Sequence, residues 1–163
     1  MHADQAKAVA EALGQQLQNE WMVTVKVIEA VPEASKSYKP DEKARTAWEL
    51  ASHIASSDVW FLEGVLNQQF GQPMDPGAST IAELAAWYKA EFPKRLERVL
   101  AMDGAKLAEI VDFYGMKMPN AQYLVFCAVH NAHHRGQLAT YLRPMGGKVP
   151  SIYGGSADEP FQG

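Results

Sequence analysis

Apolar residues recur every three or four positions through residues 4–31, at Val9, Leu13, Leu17, Trp21, Val25 and Ile28, with charged and amide residues between them. That period belongs to one face of an amphipathic helix, and Pro32 ends it. Residues 32–43 carry two prolines and no period, which predicts a loop. A second helix follows. Thr46 with Glu49 three positions on has the capping-box spacing, and Leu50, Ile54, Phe61 and Val65 continue an inward stripe on which His53 also falls. Residues 67–78 contain two Gly and two Pro, enough for a long connection that crosses the end of a bundle and lets the next helix run in the same direction. Ser79 or Thr80 caps the third helix, whose stripe is Ile81, Leu84, Ala85, Tyr88, Phe92, Leu96 and Leu100. Pro93 is expected to kink it and Gly104 to stop it. Residues 107–118 are dense in apolar side chains without a helical period, so a partly extended connection is expected, with a short hairpin around Tyr114 and Gly115. Pro119 suits the first turn of a fourth helix that runs to Leu142, before Pro144, Gly146 and Gly147 end it. The tail from Gly147 to Gly163 reads as coil wrapping the bundle end. The pattern predicts an all-α fold: a single domain over residues 1–163, a four-helix bundle with a long crossover between helices 2 and 3.

Composition narrows the class. A chain of 163 residues, 47% hydrophobic and 21% charged, can bury one core without disulfides, and a lone Cys127 cannot form an internal one. The first thirty residues lack a basic segment followed by an apolar one, and no apolar run reaches the length of a membrane span, so a cytoplasmic protein with no membrane partner is expected. A net charge of −4 without a Lys/Arg block gives no footprint for a phosphate backbone, which argues against nucleic acid.

The candidate chemistry sits in FCAVHNAHHRGQLATYL, residues 126–142, which holds three of the five histidines. His130 and His134 are four apart, so both imidazoles share one helix face. With Tyr123, Phe126, Cys127, Gln137, Leu138 and Tyr141 they lie within about 60° of one direction on the helical wheel. A helix holds one ion with two such side chains, and ions of this ligand class want at least three protein ligands. His53 on the second helix is the other interior histidine. Three partnerless imidazoles facing one another would cost about 1 to 3 kcal/mol each as core filling. A shared divalent ion satisfies all three, whereas the competing reading is a dry hydrogen-bonded network with Glu49, Ser57 or Tyr141. Three histidines without a fourth ligand leave coordination positions open, the arrangement of a catalytic site. Zinc is the first assignment, with nickel and iron also compatible. Cys127, one turn before His130, is left outside the site as a small buried hydrophobe. Gln137, one turn past His134, is a candidate to hold a water or a ring nitrogen, and is the one weak candidate for a catalytic part. His133 falls at the edge of the stripe, Trp48 and Trp60 read as core, and His2 as surface.

The segments WELASHIASSDVWFLEGVL and HNAHHRGQLATYLRPMGGKVPSIYGGSADE resemble the DinB-like family of small metal-binding bundles. The likeness rests on His53 in SHIASSDVWF, on H-x-x-x-H-R-G-Q from His130 to Gln137, and on V-P-x-x-Y-G from Val149 to Gly154. It implies an up-down-down-up bundle, a divalent metal on His53, His130 and His134, and a homodimer formed through helix faces. Related members are transferases and isomerases that use low-molecular-weight thiols such as bacillithiol, mycothiol or glutathione. The resemblance therefore implies a metal-dependent enzyme activating a small thiol or water against a small-molecule substrate. The competing functions are a non-catalytic dimeric metal-binding bundle and a metal sensor or store.

Overall fold

The computed structural model describes residues 1–160. Its four long helices are α1 (Ala3–Glu29), α2 (Ala47–Asn67), α3 (Ile81–Leu100) and α5 (Tyr123–Leu142), and between the last two lie a short helix α4 (Gly104–Ala108) and a hairpin, β1 (Ile110–Phe113) and β2 (Met116–Pro119). The helical fold expected from the sequence is present, with a short fifth helix that the four-helix reading did not contain. Helix α1 packs on α3 and α5, and α2 packs on the same two. Contacts give the directions. Asp58 meets Tyr88 and Glu63 meets Arg95, so α2 and α3 run the same way. His53 meets His134 and Val65 meets Asn120, so α2 and α5 run oppositely. The start of α1 lies against Gly104, beyond the end of α3, and its end lies against Gly147, beyond the end of α5.

The caps explain why the helices begin where they do. Thr46 accepts from Glu49 N at 3.1 Å while Glu49 reaches back to Thr46 N at 2.7 Å, and Thr80 and Glu83 repeat the device. The residue 68 position, Gln68, closes α2 in the left-handed conformation. Helix α3 continues through Pro93 to Leu100.

Two boundaries and part of one buried stripe differ from the sequence reading. Gly104 does not stop α3; it opens α4 behind the Asp103 cap, and a Cβ there would sit 2.5 Å from the Ala3 carbonyl oxygen. A side chain is excluded by a neighbouring backbone, not by a helix end. Pro119 does not open the last helix. It ends β2, and residues 120–122 form a tight turn whose Asn120 donates through its side chain to Val65 O and through its backbone to Glu109 O, so α5 starts at Tyr123. The stripe on α1 holds at Leu17, Val25 and Ile28, which are buried, but its first half is shifted: Ala6, Ala10 and Gly14 are buried there, while Val9, Leu13 and also Trp21 are half-buried. Small residues let α3 approach, since a Cβ on Gly14 would lie 2.6 Å from the Leu100 side chain.

The hairpin is where the sequence placed it. Tyr114 and Gly115 both have positive φ, 51° and 89°, the signature of a two-residue type I′ turn. The Tyr123 hydroxyl lies 2.8 and 2.7 Å from the carbonyls of Val111 and Met116, fastening the hairpin to the first turn of α5. The tail is ordered coil as far as it is described. Asp158 accepts from Arg143 and Val149 N, Glu159 accepts from Ser151 N, and Val149 and Ile152 pack on the core. Residues 161–163 of the expected wrap lie outside the described residues. Among the described residues no helix is long and apolar enough to cross a membrane.

Candidate metal centre

His53, on the second turn of α2, points across the α2–α5 seam to His130 and His134, which stand one turn apart on α5. His53 Nε2 is 3.1 Å from His130 Nε2 and 3.3 Å from His134 Nε2, and a ligand nitrogen from each of the three lies within 4.8 Å of the others. The rings meet edge to face, with interplanar angles of 65°, 84° and 66°. The wheel had put the two α5 histidines on the inward face. They line its edge, half-buried, while the most deeply buried line of α5 runs through Leu124, Cys127, Asn131, Arg135, Leu138 and Leu142. An edge position leaves the trio accessible from outside.

The remaining ring nitrogens show how the trio is set. His134 Nδ1 lies 2.7 Å from Gln137 Oε1, an acceptor, so this nitrogen carries the proton and Nε2 presents its lone pair. Gln137 itself is exposed, and its contact to the ring nitrogen is one of the two roles foreseen for it. Ser57 Oγ stands 3.3 Å from His53 Nδ1 and can accept in the same way. Of the three residues named for a dry network, only Ser57 touches the trio. Glu49 is engaged in the α2 cap, and Tyr141 stacks edge-on with Tyr38. His130 Nδ1 is buried and has no hydrogen-bond partner among the described residues.

Hydrogen bonding alone does not satisfy this cluster. A ring nitrogen holds either one proton or one lone pair, so His53 Nε2 can complete only one of its two contacts at a time. A cation resolves the conflict. Nitrogen ligands about 2.0–2.1 Å from an ion at tetrahedral angles stand about 3.3–3.4 Å from each other, close to the observed spacings. The donor set fits a divalent ion of borderline softness.

Electrostatics keep the rings in ligand form. Burial, then the charge of Arg45 and then His134, lowers His53 from 6.5 to about 4. Burial followed by the two neighbouring imidazoles lowers His130 to about 4, and burial leads the lowering of His134 as well, against the opposing hydrogen bond of Gln137. All three are therefore neutral at pH 7.

Other residues singled out in the sequence fall outside the trio. His133 is exposed, its ring 4.7 Å from that of His134. Cys127 is fully buried, its sulfur 3.9 Å from Asp58, and burial pushes its thiol well up, so it is a core residue. Trp60 donates to Gly71 O and joins rings that include Phe61, Phe70 and Phe113, and Phe61 in turn stacks 5.6 Å from His130. A groove of about 520 Å³ between α1 and α3, floored by Pro93, Leu96 and Leu100, touches none of the histidines.

Sequence reasoning missed a second polar cluster. Asp58 accepts from Tyr88 OH and Asn131 Nδ2, Thr24 donates to Asn131, and Arg135, 1% exposed, pairs with Glu20 and reaches Thr24 and Tyr153. One signal was available: Asn131 and Arg135 repeat at i, i+4 directly behind the two histidines, so polar residues occupy the middle of a buried helix face.

Comparison with known proteins bears on the family and the fold of the chain. YjoA, an uncharacterized protein of Bacillus subtilis, is 26% identical over 127 residues, covering 76% of this chain and 82% of that protein. Another uncharacterized B. subtilis protein, YrdA, is 43% identical over 53 residues, a match spanning 32% of each. The crystal structure of the DinB-like protein YjoA superposes with a TM-score of 0.72 at 22% identity, covering 92% of this chain and 96% of that one. A DinB-like protein from Bacillus cereus superposes with a TM-score of 0.74 at 27% identity, covering 88% and 97%. Residues 5–161 match the DinB family, and the chain belongs to it.

Proposed function

We propose that this protein is a divalent-metal-binding bundle of up-down-down-up order in which His53, His130 and His134 hold one ion that activates a low-molecular-weight thiol or water toward a small-molecule substrate. The observation that carries the reading is the convergence of three Nε2 atoms at 3.1 and 3.3 Å, a spacing that an ion satisfies and hydrogen bonds do not. The bundle order is supported by α2 running with α3 and against α5. An ion held by three neutral imidazoles supplies a Lewis-acid position that lowers the pKa of a thiol or water bound there. The chain's own residues prepare that position. Gln137 holds the His134 tautomer, Ser57 sits against the far nitrogen of His53, and half-burial leaves one side of the trio open to a ligand. Phe61 beside His130 gives the site an apolar flank. Zinc is the first assignment, with nickel and iron compatible. The protein acts in the cytoplasm, as a homodimer formed through helix faces.

A second reading has its own support. The three ligands come from two helices, so the ion would also staple α2 to α5, as a non-catalytic structural or metal-sensing centre requires. Elemental analysis of tag-free protein, followed by a screen of small thiols with a generic electrophile, separates the two. The enzyme reading expects close to one ion per chain and a thiol-dependent rate abolished by His130→Ala. An ion present with every thiol inert would exclude thiol activation and leave water activation or the structural reading, which a screen of hydrolysable small substrates separates, and no ion at all would overturn both.

A further inference from the structure

Each ligand histidine of α5 is followed by a buried polar residue, His130 by Asn131 and His134 by Arg135, both 1% exposed. Asn131 Nδ2 donates to Asp58 Oδ2 on α2 at 2.5 Å, and Asn131 Oδ1 accepts from Thr24 Oγ1 on α1 at 2.8 Å. Arg135 donates to Glu20 O at 3.1 Å, to Thr24 Oγ1 at 3.2 Å and to the Glu20 carboxylate at 2.6 Å, and it also meets the hydroxyl of Tyr153 in the tail. Tyr88 of α3 closes the set on Asp58. The anchors therefore reach α1, α2, α3 and the tail.

Successive residues on a helix are turned about 100° and rise about 1.5 Å, so the anchored face and the ligand edge of α5 are adjacent and move together. Apolar packing is non-directional and tolerates small slides of one helix on another, whereas an ion site holds ligand distances to within about 0.2 Å. Directional bonds at positions 131 and 135 remove that freedom at the two turns that carry the ligands. Stability alone does not require them, since buried ion pairs are often replaced by apolar side chains without loss.

We propose that Asn131 and Arg135 are positioning residues, which fix the rotation and register of α5 so that His130 and His134 meet His53 at ligand spacing. The inference rests on the ion site proposed above. It is tested with cobalt(II), following its ligand-field absorption and its affinity by chelator competition, alongside thermal melts of the ion-free protein. Asn131→Ala is expected to weaken cobalt binding about 10- to 100-fold, the range for residues that orient ligands, and to change the band shape. Thr24→Val keeps the volume on α1 and removes only the hydroxyl that both anchors share. It is expected to weaken binding in the same direction and decides the matter if Asn131→Ala does not fold. Arg95→Ala is the control, because Arg95 is buried and bridges α3 to Glu63 of α2 without neighbouring a ligand. It is expected to lower the melting temperature while leaving cobalt affinity and bands unchanged. The proposal is overturned if Asn131→Ala and Thr24→Val bind cobalt like the wild type, or if Arg95→Ala weakens binding as much as they do. A wild-type protein that takes up no cobalt would sink the ion site itself, and this inference with it. Normal uptake by the wild type and both variants would sink only the positioning role.

Discussion

Two polar clusters adjoin in this bundle, on neighbouring faces of α5, and they are built on opposite principles. In the inner one, Asp58, Asn131, Thr24, Arg135 and Glu20 each have a protein hydrogen-bond partner, and none of their buried side-chain atoms stands without one among the described residues. In the outer one, three imidazoles crowd their Nε2 atoms together, His130 Nδ1 is buried with no hydrogen-bond partner among the described residues, and His53 Nε2 faces two nitrogens with one proton or one lone pair to offer. A complete network is architecture, and an incomplete one is a place for something else. Burial alone does not separate them, because the complete cluster is the more buried of the two.

The largest effect expected from breaking this contrast lies in the inner cluster. Arg135→Ala would leave the Glu20 carboxylate, 8% exposed, without its countercharge, and removing one partner of a buried pair costs about 3–5 kcal/mol. Urea denaturation of the ion-free protein should show a loss of that size. His53→Ala, which removes a half-buried ring from an unsatisfied cluster, should cost no more than about 1 kcal/mol under the same conditions. Equal losses for the two variants would erase the distinction.

Ion removal comes next and acts on the outer cluster alone. A ligand that binds only the folded state, present at a hundred times its Kd, adds about 2.7 kcal/mol of stability. A chelator should therefore lower the melting temperature of the loaded wild type, and should leave His53→Ala and His130→Ala unmoved. A wild type that melts identically with and without chelator would place the trio among ordinary buried histidines.

The pH dependence of the ion-free protein should have opposite signs in the two clusters. Burial raises Asp58 from 3.8 to about 7, against its hydrogen bonds from Tyr88 and Asn131, so the folded state holds a proton that the unfolded state releases. The contribution of Asp58 is fully present below about pH 4 and is lost as pH rises through 7. His53 and His130, lowered to about 4, do the reverse: the unfolded chain takes up protons first, and stability falls as pH drops from about 6.5 toward 4. Melting curves from pH 4 to 8 should show the acid-side loss disappear in a His53→Gln, His130→Gln double variant. The alkaline-side loss should shrink in Asp58→Asn. A loss that persists in the matching variant would reassign it to other groups.

The two clusters were not equally legible in the chain. Histidine is scarce and chemically specific, so an i, i+4 pair plus one more on a neighbouring helix pointed to a common centre from spacing alone. The capping boxes at Thr46 and Thr80, and the turn at Tyr114 and Gly115, were readable because they are local, each decided by residues within four positions. The inner cluster depends on which helices become neighbours. Asp58 looks like an interruption of its helix until α3 and α5 supply Tyr88 and Asn131, and Asn131 and Arg135 look like interruptions of an apolar face until α1 supplies Thr24 and Glu20 from more than a hundred positions away. The same lack of long-range information shifted the first half of the stripe on α1, where Gly14 is explained only by Leu100, and moved the start of α5 past Pro119, where Asn120 is committed to Val65.

Gln137 offers the smallest and sharpest test, because it belongs to the outer cluster while being exposed. Its amide oxygen is the partner that keeps the His134 proton on Nδ1. Gln137→Ala should change the stability of the ion-free protein by no more than about 0.5 kcal/mol, the usual range for an exposed substitution. It should still weaken ion binding by about tenfold, since losing the partner that orients a ligand ring lets the proton move to Nε2, the nitrogen that must be free. Gln137→Glu restores an acceptor at the same place and should recover affinity. If Gln137→Ala binds the ion as tightly as the wild type, the tautomer of His134 is set by the ion itself, and the outer cluster needs no help from its surroundings.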